Sequence, residues 1–408
     1  MQSVVSAILE YNAGRDPQRL TLKLAALRRD AHSFLRGTCH RYVDCLPVHP
    51  LLQDTPLAWS CGDLHLENFG SYEGDNGHVC FDINDFDEAV LAPLMHDPLR
   101  LLTHLLVLAD DFGLSRDDAE EMATHFITQY ADTLISGEVG FVGRDTAKGL
   151  VGDLLDDVGG RTHVDLLDSR TDLKADTRRI RLDGEKALPA SKEQRAEVSG
   201  LLQKFAEAFT ATKADEQFYE PLDIARRISG NGSLGLARYI ILARGTGAPD
   251  GNALLDLKAV APSVLAPALS NQQPAWKDEA ERVATLQARM QAIPVAFLHA
   301  IRADKHGTDT SFVLRALQPS QDRVDLDRCK DKPRRLERLL ETMAQVLAWA
   351  HLRGAGQQGA AKVDELIAFA KETEWRDELL VLAGRCSAQV EKDWKDYADA
   401  FDDGRVTA

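Results

Sequence analysis

The chain has 408 residues and a formal net charge of −16, with 44% hydrophobic and 27% charged residues. That length predicts two or more lobes, and that charge disfavours broad binding to nucleic acid or an anionic membrane, while a local basic pocket stays open. There is no apolar run of about 18 residues to span a membrane and no signal-peptide pattern at the N-terminus, and six scattered cysteines without a CxxC pair fit reduced thiols and a cytoplasmic location better than a zinc site or disulfide scaffold.

Residues 20–46 read as helical, with SFLRGTCHRYVDCL carrying an apolar face. The period then changes. GDNG at 74–77 is a turn signal between two short strand candidates, NFGSY and HVCFDI, and predicts a hairpin. That hairpin would bring CGDLHLENFG (61–70), with Asp63, His65, Glu67 and Asn68, against FDINDFDEA (81–89), with Asp82, Asp85, Asp87 and Glu88. Carboxylates crowded between apolar segments are costly unless a cation compensates them, so this is either a wet surface loop or a binding site for something positive. From Asp97, DPLRLLTHLLVLADDF is apolar on nearly all sides and predicts a helix buried inside a lobe. Ser115 caps the next helix, SRDDAEEMATHFITQYADTLI.

Residues 140–195 are polar and rich in Gly, Asp and Arg, with little periodicity, and read as a connection or insertion. A helix opened by Ser191 follows. LDIARRIS, ARYIILARG, NALLDLKAV, VAFLHAIRA and SFVLRAL are strand candidates, and PAWKDEAERVATLQARMQ, between the third and fourth, is an amphipathic helix. These make a sheet-rich lobe of roughly 100 residues. From 331 onward the chain reads as helical. The expected class is α+β in two lobes: a helical part over 1–215, a small sheet lobe over 216–319, and helices over 320–408 that complete the first.

Three constellations carry chemistry. Asp63, Asn68 and a later carboxylate offer hard oxygens suited to Mg²⁺, which keeps waters and takes substrate phosphates; an Asx-rich turn is the competing reading. An Asp five residues before an Asn also matches kinase catalytic loops, where the Asp takes a hydroxyl proton and the Asn holds metal. GNGSLG at 230–235 precedes a strand-like segment, so a hairpin tip over phosphates fits better than a Rossmann turn, with a simple Gly-rich turn as the alternative. Lys258 stands in an apolar strand and calls for an anion, with Glu281 or Glu279 in the next helix as candidates, unless it snorkels from an edge.

GDLHLEN resembles the catalytic loop of aminoglycoside-phosphotransferase-like kinases, and DFDEA with HDPLRLL resembles their metal-binding segment and the helix after it. In those kinases the glycine loop and lysine come first, whereas here they follow. RRLERLLETMAQVLAWAHLRG resembles the helix that normally runs into the catalytic loop, so the order is that of a circularly permuted protein-kinase-like fold, cut at a connection where exchange of halves is tolerable. SFLRG, CGDLHLENFG, FDINDFDEA, GNGSLG, LLDLKAVAPSVL and AWAH together are also similar to an uncharacterised bacterial family, domain of unknown function 2252, over residues of about 15 to 355.

The resemblance implies Asp63 as catalytic base, Asn68 as a Mg²⁺ ligand, and Asp82 or Asp85 as the second. Hairpin length favours Asp82; the DFDEA text and the distance to Asp97 favour Asp85. Gly230, Asn231, Gly232, Ser233 and Gly235 would cover the phosphates of ATP, and Lys258, oriented by Glu281, would contact them. Asp97 would brace the loop, and VLRALQP at 313–319 would lead through the hinge. His65, where many protein kinases carry lysine, favours a small-molecule acceptor. The expected activity is ATP- and Mg²⁺-dependent phosphoryl transfer to a hydroxyl. AMP transfer from a reversed nucleotide, or a pseudokinase that only binds, are the other readings. Acceptor residues would come from the helical lobe and its insertions, Arg36 and 140–195 among them.

Overall fold

In the computed structural model, which describes residues 2–303, 310–318 and 322–406, the helix expected from Asp97 spans His96–Val107. Leu99, Leu101, Leu102 and Leu105 on it are fully buried in the larger core. Arg116–Ser136 packs beside it, opened by a Ser115–Asp118 capping box and closed by Gly137 in the left-handed region. Pro333–Gly354 and Glu374–Asp402 cover these two. The first helices, Val4–Tyr11, Pro17–Arg29, Ala31–Gly37 and Cys39–Asp44, pack against one another and against the last. A buried Arg41–Asp393 ion pair ties the two ends of the chain at 2.7 Å.

The smaller layer is a six-stranded antiparallel sheet. Its order is His299–Arg302, Ser311–Ala316, Gly251–Val260, Arg238–Gly247, Pro221–Arg227 and Ala187–Pro189. All five expected strands are present. Register sets Arg238 opposite Lys258, Ile240 opposite Asp256, and Asp256 opposite Arg315, so with a period of two these side chains share one face. The opposite face is apolar and packs on the helix Lys192–Phe209 through Val198, Leu202 and Ala206. The fold is therefore α+β with antiparallel sheets. No helix among the described residues is long and apolar enough to cross a membrane.

Two expectations change. Residues 140–195 form helices Gly149–Gly159 and His163–Arg170, a hairpin of Thr171–Lys174 with Thr177–Ile180, and the sixth strand of the sheet. Strands of three or four residues are too short to show a periodicity that could be read. Because that strand and the helix Lys192–Phe209 both join the sheet, a division at 215/216 would separate the sheet from its own cover. Of the hinge expected in VLRALQP, Leu317 and Gln318 follow the strand Ser311–Ala316, and Pro319 lies outside the described residues.

Candidate functional site

The CGDLHLENFG stretch leaves a short strand, Leu57–Ser60, that pairs with Val90–Pro93 just after FDINDFDEA. Gly62 follows at φ +83°, where an added Cβ would lie 2.2 Å from the Glu88 carbonyl oxygen, so only glycine lets the two stretches touch. Asp97 braces the turn from beneath. Fully buried, it accepts from Ser60 Oγ at 2.6 Å, Cys61 N at 2.9 Å and Gly62 N at 3.0 Å, with His351 Nε2 at 3.4 Å. Burial pushes this carboxyl up, but His351 and those donors hold it below the usual carboxylate range. The expected hairpin is Phe69–Glu73 paired with Val79–Ile83.

Asp63, Asn68 and Asp85 line one cleft with Gly230, Asn231, Gly232 and Ser233. The glycine-rich stretch is the tip of a hairpin between Pro221–Arg227 and Arg238–Gly247, as expected, with Gly230 and Gly235 at positive φ. Asp63 is held by Arg100, whose Nε and Nη2 both donate to Oδ1, at 2.8 and 2.6 Å. Burial raises the Asp63 carboxyl and the Arg100 guanidinium opposes that rise. Asn68 is 4% exposed, and its Oδ1 has no hydrogen-bond partner among the described residues. Asp85 would be raised by burial, but Lys258 and then Arg315 hold it down to about 2.

Lys258, 4% exposed, reaches Asp85 at 3.6 Å and makes its tighter contact with Asp87. The expected partner Glu281 is not there. It accepts from Lys277 N at 2.7 Å and pairs with Lys277 Nζ at 3.2 Å, while Glu279 pairs with Arg282. Asp82 is likewise away from the cleft. Its Oδ2 accepts from Ala292 N at 2.8 Å with Arg353 at 3.3 Å, which leaves Asp85, past the strand end, as the carboxylate beside Asn68.

Several residues here were not anticipated. Arg100 could have been, since an arginine in an all-apolar helix demands an anion as Lys258 does. The first helices clamp the glycine hairpin. Arg15 Nη1 donates to the Gly232 and Leu234 carbonyls at 2.8 and 2.9 Å, and the fully buried Lys23 donates to Gly232 O at 2.8 Å. No local pattern announces such distant contacts. Glu67 pairs with Arg36 and, at 3.3 Å, with His32. His104 Nδ1 accepts from Leu66 N, so its Nε2 carries the proton and donates to His32 Nδ1 at 2.6 Å, assigning the tautomers of both rings.

Glu88 also lines the cleft, and burial, followed by repulsion from Asp63 and Asp87, pushes its carboxyl up to about 7, against the Val264 N–H it accepts. A raised folded value means the fold favours the protonated form. This contribution is therefore fully present below the unfolded value near 4.5 and is lost as pH rises through about 7. Glu88→Gln should shrink the loss of stability between pH 5 and pH 8 by about 1–3 kcal/mol. Urea unfolding of both proteins at each pH measures it, and an identical pH slope would mean that Glu88 is not shifted.

Over residues 15–400 the chain matches the family described as "Uncharacterized protein conserved in bacteria (DUF2252)". The chain belongs to this family. Comparison with curated proteins and with solved structures gives no match. The family description carries no reaction, so the chemistry of this DUF2252 protein is argued from its cleft. No three His, Cys, Asp or Glu side chains among the described residues are grouped to hold a metal. A Mg²⁺ ion would take Asn68 Oδ1 and Asp85 and complete its shell with water and ligand phosphates, as that ion commonly does. The unpartnered Asn68 oxygen fits this use.

Proposed function

We propose that this DUF2252 protein is an ATP- and Mg²⁺-dependent phosphotransferase with a kinase-like site in circularly permuted order, acting on a hydroxyl of a small molecule. The observation that carries the reading is the meeting, in one cleft, of Asp63, Asn68 and Asp85 from one end of the sequence with a glycine hairpin and, behind it, Lys258 from the middle. The permuted order has its own support. The segment that follows the helix Pro333–Gly354 is bonded to the strand that leads into CGDLHLENFG: Ala361 N donates to Leu57 O at 2.7 Å and Trp59 Nε1 to Gln357 O at 3.0 Å.

In this mechanism Asp63 accepts the proton of the attacking hydroxyl. Arg100 is a positioning residue. Both its bonds end on Oδ1 and leave Oδ2 for the proton. The tip amides and Ser233 cover the phosphates, Lys258 keeps Asp85 ionised and in place, and Asn68 and Asp85 would hold Mg²⁺. When bound, that ion would neutralise phosphate charge. Transfer of AMP to the same hydroxyl uses the same residues, and one observation favours it as a second reading: the sheet face under the hairpin carries Arg227, Arg238 and Arg315 around Asp256, where a base would prefer an apolar slot.

Calorimetric titration of ATP tests the proposal. Binding with Mg²⁺ should vanish or weaken about tenfold or more in EDTA and in Lys258→Ala, since that lysine is the cation that sets Asp85. A folded protein that takes up no ATP in either condition would reject it.

A further inference from the structure

A second, smaller pocket lies on the other side of the glycine hairpin. Its wall includes Ile228 and Ser229, the two residues before Gly230 of the main cleft. Its floor is the sheet face at Arg227 and Ile240, and its cover is the 140–195 segment, which contributes Arg170, Ile180, Arg181 and Lys186. Four cationic side chains and one carboxylate, Asp183, line the pocket; Arg181 is paired with Asp172 at 2.9 Å, and the Asp183 Oδ1 accepts the N–H groups of Glu185, Lys186 and Ala187 at 2.7–3.1 Å.

Arg170 is the group that demands an explanation. Its residue is 8% exposed and its Nε is buried without a hydrogen-bond partner; Asp183 and Asp322 attract its guanidinium against the cost of burial, but neither forms an ion pair with it among the described residues. Arginine is almost never buried unpaired, because the lost hydration goes uncompensated. Arg227, equally buried, shares its one carboxylate partner among the described residues with two other guanidiniums: Asp256 Oδ2 lies 2.8 Å from Arg227, 2.6 Å from Arg238 and 3.6 Å from Arg315. Burial first, then its arginine neighbours, pull Arg227 down to about 9 against the attraction of Asp256. Positive charge is therefore in excess on this side of the hairpin, between apolar walls of Ile180, Ile240 and Leu317 that strengthen its field.

We infer that this pocket is a second anion site, built by Arg170, Arg227 and Lys186 to take a phosphate or pyrophosphate group. Two sources could supply that group, the tail of the nucleotide or a separate phosphorylated ligand. The first source rests on the proposed function; the anion site itself does not. If the tail lies here, AMP transfer requires the α-phosphate to reach Asp63. The acceptor oxygen then bonds to the α-phosphorus, the bond from that phosphorus to the bridging oxygen breaks, the hydroxyl proton passes to Asp63, and pyrophosphate leaves from the Arg170 side.

The test is calorimetry of inorganic pyrophosphate with the full-length protein at low salt. One-to-one binding is expected, weakened about tenfold or more in Arg170→Gln and about threefold in the exposed Lys186→Ala. Thermal melts confirm that the variants fold, and Lys186→Ala, altered at the surface, keeps the test open should Arg170→Gln not fold. A non-hydrolysable ATP analogue that competes with pyrophosphate assigns the site to the nucleotide tail; simultaneous binding assigns it to a separate ligand. No pyrophosphate binding, or binding indifferent to Arg170 and Lys186, overturns the inference whether or not ATP binds the main cleft.

Discussion

Asp63→Asn should bind Mg²⁺ and ATP about as well as the native protein while losing about 10²–10⁴-fold in turnover, followed as release of ADP or of pyrophosphate with water or an added alcohol as acceptor. The amide keeps the shape of the carboxylate but cannot take the hydroxyl proton. It also leaves Arg100 buried without its anion, a residue 1% exposed whose remaining partners are the Leu35 carbonyl at 2.7 Å and the face of Tyr42 at 4.2 Å. A fall in melting temperature should therefore accompany the loss, and the assay belongs well below it. Turnover that persists in a folded Asp63→Asn protein would give Asp63 a different role, that of counter-ion to Arg100 alone.

The largest effect on stability is expected from Asp97→Ala. Its carboxylate gathers Ser60, Cys61, Gly62 and His351, and none of these donors has water to turn to once it is removed. Breaking one partner of a buried charged network costs about 3–5 kcal/mol, a large share of the roughly 5–15 kcal/mol that holds a domain together. Urea unfolding measures it, and a change below about 1 kcal/mol would show that the turn stands without its brace. The pH dependence has the opposite sign to that of Glu88. The Asp97 carboxyl is depressed in the fold, so its contribution is present above the unfolded carboxylate value and is lost as pH falls through the folded one.

These two residues also show what could be read in the sequence. The place of Asp97 under the loop comes from the resemblance to kinases, and one short turn signal brings the stretch with Asp63 and Asn68 against the one with Asp82 and Asp85. Such features are local. Glu281 failed because a helix carboxylate has competitors on its own surface. It is the third residue after the cap Asp278 and accepts the Lys277 amide before any strand can reach it. Asp82 failed by parity: it sits inside a strand and faces Ala292, whereas Asp85 lies beyond the strand and turns to the cleft. Arg170 and Lys23 acquire their settings from segments far away in sequence, and no window of residues contains that information.

The clamp on the glycine hairpin bears on tempo. In a loop held only at its ends, the tip swings on the nanosecond scale and lets small molecules pass as it does. Here the Gly232 and Leu234 carbonyls are fastened to Arg15 and Lys23, and the Gly235 carbonyl accepts from Asp16 N at 3.0 Å. The tip cannot lift without dragging the first helices, which are themselves packed on the last one. If a nucleotide is held beneath it as proposed, its escape would be paced by the collective motion of packed helices, on the order of microseconds to milliseconds, and a slow departure step would be a property of the chain's opening residues rather than of the glycines.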